Sequence, residues 1–94
     1  MIEITKPLFH LGKVVATHGA LDLLSKSEIP SFQLLSKHVS GDWGALTEED
    51  KEANDHALAH GDRILSSYAV GGNKVWVITE ADRSSTCILL PEEY

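Results

Sequence analysis

The stretch Ile64-Leu65-Ser66-Ser67-Tyr68-Ala69-Val70-Gly71-Gly72-Asn73-Lys74-Val75-Trp76-Val77-Ile78-Thr79 decides the fold class of this chain. Its apolar and β-branched residues recur at the period of a strand, and Gly71-Gly72-Asn73 supplies the backbone freedom of a tight turn. It predicts a β-hairpin with strands over 64–70 and 74–80. The polar connection Ala81 to Ser85 is followed by Thr86 to Leu90, a third strand that Pro91 ends. The expected C-terminal half is a three-stranded antiparallel meander. Val75 to Ile78 is apolar at successive positions, so both faces of that strand should be covered. Helices would cover one side, with a partner subunit a candidate for the other.

Upstream, the pattern becomes helical. Thr17 can cap a helix over about 18–26, where Ala20, Leu21, Leu23 and Leu24 keep helical spacing. Pro30 suits the first turn of a second helix over about 30–40, with Phe32, Leu35 and Val39 as its apolar stripe. A third helix over about 47–60 has the clearest ends. Thr47 caps it, Glu48, Glu49 and Asp50 favour its positive end, and Gly61 stops it. Leu8 to Ala16, interrupted by Gly12, reads as a kinked strand or two short ones. The class is α+β: N-terminal strand or strands, two to three short helices, then the meander. With 94 residues, the chain should hide roughly two-thirds of its unfolded surface, enough for one core and one domain.

Charge is unevenly placed. Of 14 acidic and 8 basic residues, Asp42, Glu48, Glu49, Asp50, Glu52, Asp55 and Asp62 face only Lys51 within their own segment. The remaining bases, Lys6, Lys13, Lys26, Lys37, Lys74, Arg63 and Arg83, are scattered singly, so duplex nucleic acid lacks a basic patch to bind. A basic protein surface is the partner that such a segment would attract. A solvated helix face is the plainer explanation. The single Cys87 forms no internal disulfide, and Met1-Ile2-Glu3 opens no signal sequence, so a reducing cytoplasm is the expected setting. No run is long enough to span a membrane, and no cofactor motif is present.

Three places could carry chemistry. Glu52, His56 and His60 fall four residues apart on one stripe of the third helix, with Glu49 near, as metal ligands would. His38, Asp42 or Glu80 would have to approach to complete a hydrolase or nuclease site. Leu58 projects from the opposite side, flanked by Ala53 and Ala57, so the stripe is expected to face water. In the loop Gly41-Asp42-Trp43-Gly44, Trp43 is either a recognition anchor or a plug that closes the core. Between the last strands, Glu80, Asp82, Arg83, Ser84, Ser85 and Thr86 gather carboxylates, a guanidinium and hydroxyls. An Asx turn explains Asp82 and Ser84, and Arg83 could tie the hairpin to the tail through Asp82, Glu92 or Glu93. Neither Ser84, Ser85 nor Cys87 sits in a nucleophile motif, and Cys87 reads as a small core residue.

Several strings together carry a resemblance. They are Val15-Ala16-Thr17-His18-Gly19-Ala20-Leu21, then Leu34-Leu35 to His38 with Gly41-Asp42-Trp43-Gly44, then Arg63-Ile64-Leu65-Ser66-Ser67-Tyr68. The longest are Trp76-Val77-Ile78-Thr79-Glu80-Ala81-Asp82-Arg83-Ser84-Ser85-Thr86 and Leu89-Leu90-Pro91-Glu92-Glu93-Tyr94. Over residues 13–94 the chain resembles a family of small bacterial proteins carried on plasmids, integrative elements and phages. Its members bear labels such as plasmid-related protein or restriction-modification subunit. The second label does not suit this chain, which has no methyl-donor loop and no Asn-Pro-Pro-Tyr motif. His18 replaces a proline common in the family and Cys87 a threonine, so neither inherits a family role. The resemblance implies a mobile-element setting and no particular activity. The expected function is that of a non-enzymatic accessory protein. It would bind a protein partner through Asp42, Trp43, Glu48, Glu49, Asp50 and Glu52, in one form by imitating nucleic acid. Metal-dependent hydrolysis at Glu52, His56 and His60 is the alternative, and homodimerisation through a sheet edge is a further possibility.

Overall fold

The computed structural model describes residues 7–94, so Met1-Ile2-Glu3 and Lys6 lie outside the described residues. In chain order the elements are β1 (Lys13–Ala16), α1 (His18–Lys26), α2 (Ser31–Val39), α3 (Glu48–His60), β2 (Ile64–Val70), β3 (Asn73–Thr79) and β4 (Ser85–Leu89), followed by a 3-10 turn, Pro91–Glu93. The class is α+β: the described residues form three helices and one four-stranded mixed sheet ordered β1-β4-β3-β2.

Gly71 and Gly72 both take positive φ, 55° and 79°, as a two-residue hairpin turn requires, and Val70 pairs with Asn73 across it. β3 then pairs antiparallel with β4 from Trp76↔Leu89 to Thr79↔Thr86. The layout departs from the expected one at the N-terminus. The first strand joins this sheet beside β4, in parallel from Lys13↔Ser85 to Ala16↔Ile88, and a three-stranded antiparallel sheet becomes a mixed one. The strand also covers 13–16 rather than 8–16. Gly12 causes the break: at φ 65° it lies so close to the β3–β4 connection that a Cβ would stand 2.4 Å from the Ser84 carbonyl carbon. Before it, Leu8 donates its N–H to the Val39 carbonyl at 2.8 Å, and Phe9 turns inward.

Two apolar clusters result. Ala20 and Leu24 of α1 and Leu34 of α2 pack on Tyr68, Val70, Val75, Val77 and Ile88 of the sheet. Trp43, Ala57 and Ile64 form the second cluster, with Phe9, Leu46 and Leu58 against it. The stripe expected on α2 is displaced: Leu34 and His38 are its buried residues, and Phe32 is 61% exposed. On the other side of the sheet Ile78 and Leu89 are also buried, and Tyr94 meets Trp76 edge-on at 5.8 Å. The chain therefore covers part of that face with its own C-terminal turn.

The two edges of the sheet differ. Along β2 the outward groups of Leu65 and Ser67 are engaged: the Asn54 amide donates to the Leu65 carbonyl at 2.6 Å and accepts from its N–H at 3.1 Å. Ser67 donates to the Trp43 carbonyl and accepts from the Ala45 N–H, a short bridge centred on Gly44. β1 forms the opposite edge.

Candidate functional site

α3 is set by its ends. The Thr47 hydroxyl accepts the Asp50 N–H at 3.1 Å, and Gly61, at φ 73°, donates to the Ala57 carbonyl at 2.9 Å. Asn54 and Ala57 are the residues it buries, with Leu58 half-buried and Ala53 exposed, so the inward direction lies on the Asn54 side rather than over Ala53. The opposite face carries Glu48, Glu49, Glu52 and Asp55, and Asp50 is exposed beside them. Among the described residues its one ion pair is Lys51 to Glu48 at 3.7 Å. Asp42 is also exposed, its carboxylate near the Gly44 N–H at 3.4 Å.

Trp43, in contrast, is 4% exposed. Its ring lies against Phe9 and His38, and Tyr68 donates to the Asp42 carbonyl at 2.7 Å, tying the loop down. Trp43 is thus a core plug and leaves the set of partner-binding residues.

Beside the acidic face, a groove of about 560 Å³ runs between the first turns of α3 and the outer face of the sheet. Leu46, Asp50 and Asn54 line one wall, Arg63 and Lys74 the other, and Trp76 contributes an indole between them. The volume suits a peptide side chain or small ligand. Opposite charges on its walls favour a partner that is itself polar.

The histidine stripe does not converge on a point. His56 and His60 are exposed and stack at 3.8 Å, and His60 Nδ1 donates to the His56 carbonyl at 3.0 Å, which occupies that nitrogen. His38, offered as a completing ligand, is fully buried, and Glu80 is paired with Arg63 at 3.2 Å. Among the described residues no group of three His, Cys, Asp or Glu side chains is placed to hold a metal ion.

The polar connection between β3 and β4 is structural. Asp82 accepts the Ser84 N–H at 3.0 Å in an Asx turn, and hydrogen bonding from Ser84 holds its carboxyl below the ordinary range. Among the described residues Arg83 pairs with no carboxylate. Its guanidinium donates to the carbonyls of Asp62 (2.6 Å), Glu80 (3.0 Å), Ala81 (3.1 Å) and Ala57 (3.1 Å), and lies 5.7 Å above the Phe9 ring. It thereby closes the carbonyl end of α3 onto the loop, where a cation also meets the negative helix end. The tail is tied by Arg63 instead, which donates to the Tyr94 hydroxyl at 2.6 Å. Glu93 helps, accepting from the Thr17 hydroxyl at 2.6 Å. Arg83→Ala is expected to lower stability by about 2–4 kcal/mol through the carbonyls it strands. Arg83→Lys should recover less than half of this, because a single ammonium cannot span the same acceptors. Urea denaturation of the three proteins measures both quantities.

No family model, curated protein or solved structure matches the chain. Its own geometry therefore carries the functional argument.

A further polar cluster lies within the core. His38 Nδ1 lies 2.6 Å from Ser66 Oγ, and Nε2 lies 2.9 Å from Thr79 Oγ1. Thr79 Oγ1 is 2.7 Å from Thr86 Oγ1, which donates to the Leu11 carbonyl at 2.7 Å. The direction of every proton follows from that last acceptor. Thr86 spends its hydrogen on the carbonyl, so Thr79 donates to Thr86, His38 Nε2–H donates to Thr79, and Ser66 donates to the bare Nδ1. All four side chains are buried. This Ser-His-Thr arrangement has no access for a substrate and serves the core. Burial lowers the His38 pKa to about 4, and the charge of Arg83 acts in the same direction. A signal was present in the sequence: Ser66 and Thr79 share the parity of the inward residues of their strands.

Proposed function

We propose that the chain is a non-enzymatic interaction protein that docks a basic surface of a protein partner on the acidic face of α3. The groove beside Trp76 would take a protruding side chain. One observation carries this reading: among the described residues Glu48, Glu49, Asp50 and Glu52 are exposed with a single lysine partner, Asp55 beside them accepts the Trp43 indole N–H at 3.4 Å, and the other polar clusters are spent on holding the fold. Concentrated charge of one sign accelerates encounter with an opposite surface. The resemblance to proteins of mobile elements supports an accessory role beside a host or element-encoded factor. Imitation of nucleic-acid phosphates is a narrower form of the same proposal.

The test is an affinity pull-down from nuclease-treated bacterial lysate, with a charge-matched control and a variant carrying Glu48→Gln, Glu49→Gln, Asp50→Asn and Glu52→Gln. Neutralisation should slow association with a captured partner by about tenfold or more at low salt. Competition by duplex DNA would support the phosphate-mimic form. Unchanged association by the folded variant would reject the acidic surface as the docking site. No helix among the described residues is long and apolar enough to cross a membrane.

A further inference from the structure

The open edge of the sheet offers a second surface, independent of the acidic face. In β1, Lys13 donates its N–H to the Ser84 carbonyl and Thr17 to that of Ile88, both at 3.0 Å. With a strand period of two, Lys13, Val15 and Thr17 turn their backbone groups toward β4, and Val14 and Ala16 turn theirs away. No described residue pairs with that outward side, and Val14 and Val15 are each 42% exposed. Sheet edges are ordinarily blunted by shortness, lysine, proline, a bulge or an inward charge. Lys13-Val14-Val15-Ala16 is short and opens with one lysine, but Val14 to Ala16 carry no charge, proline or bulge.

We propose that β1 pairs antiparallel with β1 of a second copy, about a two-fold axis through Val15, joining two sheets into one. In this register the N–H and C=O of Val14 meet those of Ala16 in the partner, and the reverse. The two Val15 residues become a non-hydrogen-bonded pair with Cα atoms about 4.5 Å apart. Charge within the strand permits a second copy in this register. Lys13, the only charged residue of the strand, is carried to opposite ends of the ribbon, about 13 Å from its mate, so no like charges oppose each other. The assembly also stops at two copies. Each chain has most of its β2 edge engaged, Leu65 by Asn54 and Ser67 by the Gly44 bridge, so a pair joined through β1 leaves only the short stretch at Ala69 unpaired on its outer edges.

Light scattering of the full chain should give twice the 10.3 kDa chain mass, with the Val14 and Ala16 amides slow to exchange. Two variants test the register. Val15→Lys sets two ammonium groups face to face. Val14→Pro removes an N–H that β4 does not use, and its preceding residue is already extended. Circular dichroism checks that each remains folded, and if proline disrupts the strand the lysine variant decides. Conversion of the dimer to monomer by the folded variants, with faster exchange at Ala16, supports the proposal. A wild-type monomer overturns it. Protected amides in such a monomer would assign the edge to another segment of the same chain, and rapid exchange would leave it open. A dimer that persists in the folded variants also overturns the proposal, because its interface then lies elsewhere.

Discussion

Gly44→Ala is expected to lower stability by about 3–5 kcal/mol, combining the cost of a side chain at positive φ with that of forced overlap. Gly44 adopts φ 79°, and a Cβ there would lie 2.0 Å from the Ser67 carbonyl oxygen and 2.8 Å from Tyr68 Cδ1. The near atom is backbone in the interior of a paired strand, so it cannot swing aside. Relief requires the segment Trp43–Ala45 to lift from β2, which breaks both hydrogen bonds to Ser67 and withdraws Trp43 from its cluster with Ala57 and Ile64. Gly61→Ala is the matched control. That residue has φ 73° but nothing within 4 Å of a built Cβ, so it should lose only about 1 kcal/mol. Urea midpoints of the two variants separate overlap from backbone preference. Equal losses would show that the Gly44 bridge contributes nothing beyond its dihedral angle. Lifting the bridge also exposes β2, so Gly44→Ala should add higher assemblies at concentrations where the parent has none.

Acid is expected to weaken the fold by about 3 kcal/mol between pH 6.5 and 4, through His38 alone. The folded state holds this imidazole neutral down to about pH 4, against an ordinary value of 6.5. Between these values the unfolded chain binds the additional proton, so stability rises with pH. The contribution is fully present above pH 6.5 and is lost as pH falls through the folded value. Proton directions supply the structural reason. A proton on Nδ1 would confront Ser66 donor to donor, and Ser66 would have to turn its hydrogen away from the imidazole. The charged ring would also be buried in the field of Arg83.

His38→Gln retains a carbonyl for Ser66 and an N–H for Thr79 but cannot titrate. Its unfolding free energy should therefore change little over this interval, although its absolute stability falls. Hydrogen bonding from Thr17 holds the Glu93 carboxyl low, and Ser84 does so for Asp82. Their contributions are present above the ordinary carboxylate range and disappear as pH falls below it, a loss that persists in His38→Gln. Urea titrations at several pH values, with the His38 ring followed by NMR, test the assignment. An unaltered slope in His38→Gln would place the acid sensitivity elsewhere.

The parts of this fold legible in sequence are those written locally. The 64–79 hairpin shows its alternation and its glycines, and α3 shows Thr47 at one end and Gly61 at the other. On α2 the sequence offers competing stripes, Phe32-Leu35-Val39 and Leu34-His38. The second is the more deeply buried because strand hydroxyls across the core can satisfy an imidazole. Asn54 and Arg83 were opaque for a different reason. Their partners are backbone carbonyls and amides, groups that every residue carries and no side-chain pattern advertises. The candidate surface divides the same way: exposed acids on α3 follow from composition and helical period, but the groove beside them exists only once Lys74 and Trp76 are brought across from β3.

The parallel pairing of β1 with β4 has a consequence for biogenesis. Lys13 leaves the ribosome long before Ser85, its neighbour in the finished sheet. At synthesis rates of about 5–20 residues per second, the interval is roughly 4–14 s. Throughout it, Val14 and Val15 have no native strand to pair with, and the helices that follow form over an unfinished sheet. Closure of the sheet is a late, long-range event with a large loop-entropy cost, which places this small protein toward the slow end for its size. A nascent chain stalled before β4 would display an apolar N-terminal strand to chaperones, and completion of the ten residues from Ser85 to Tyr94 would withdraw it.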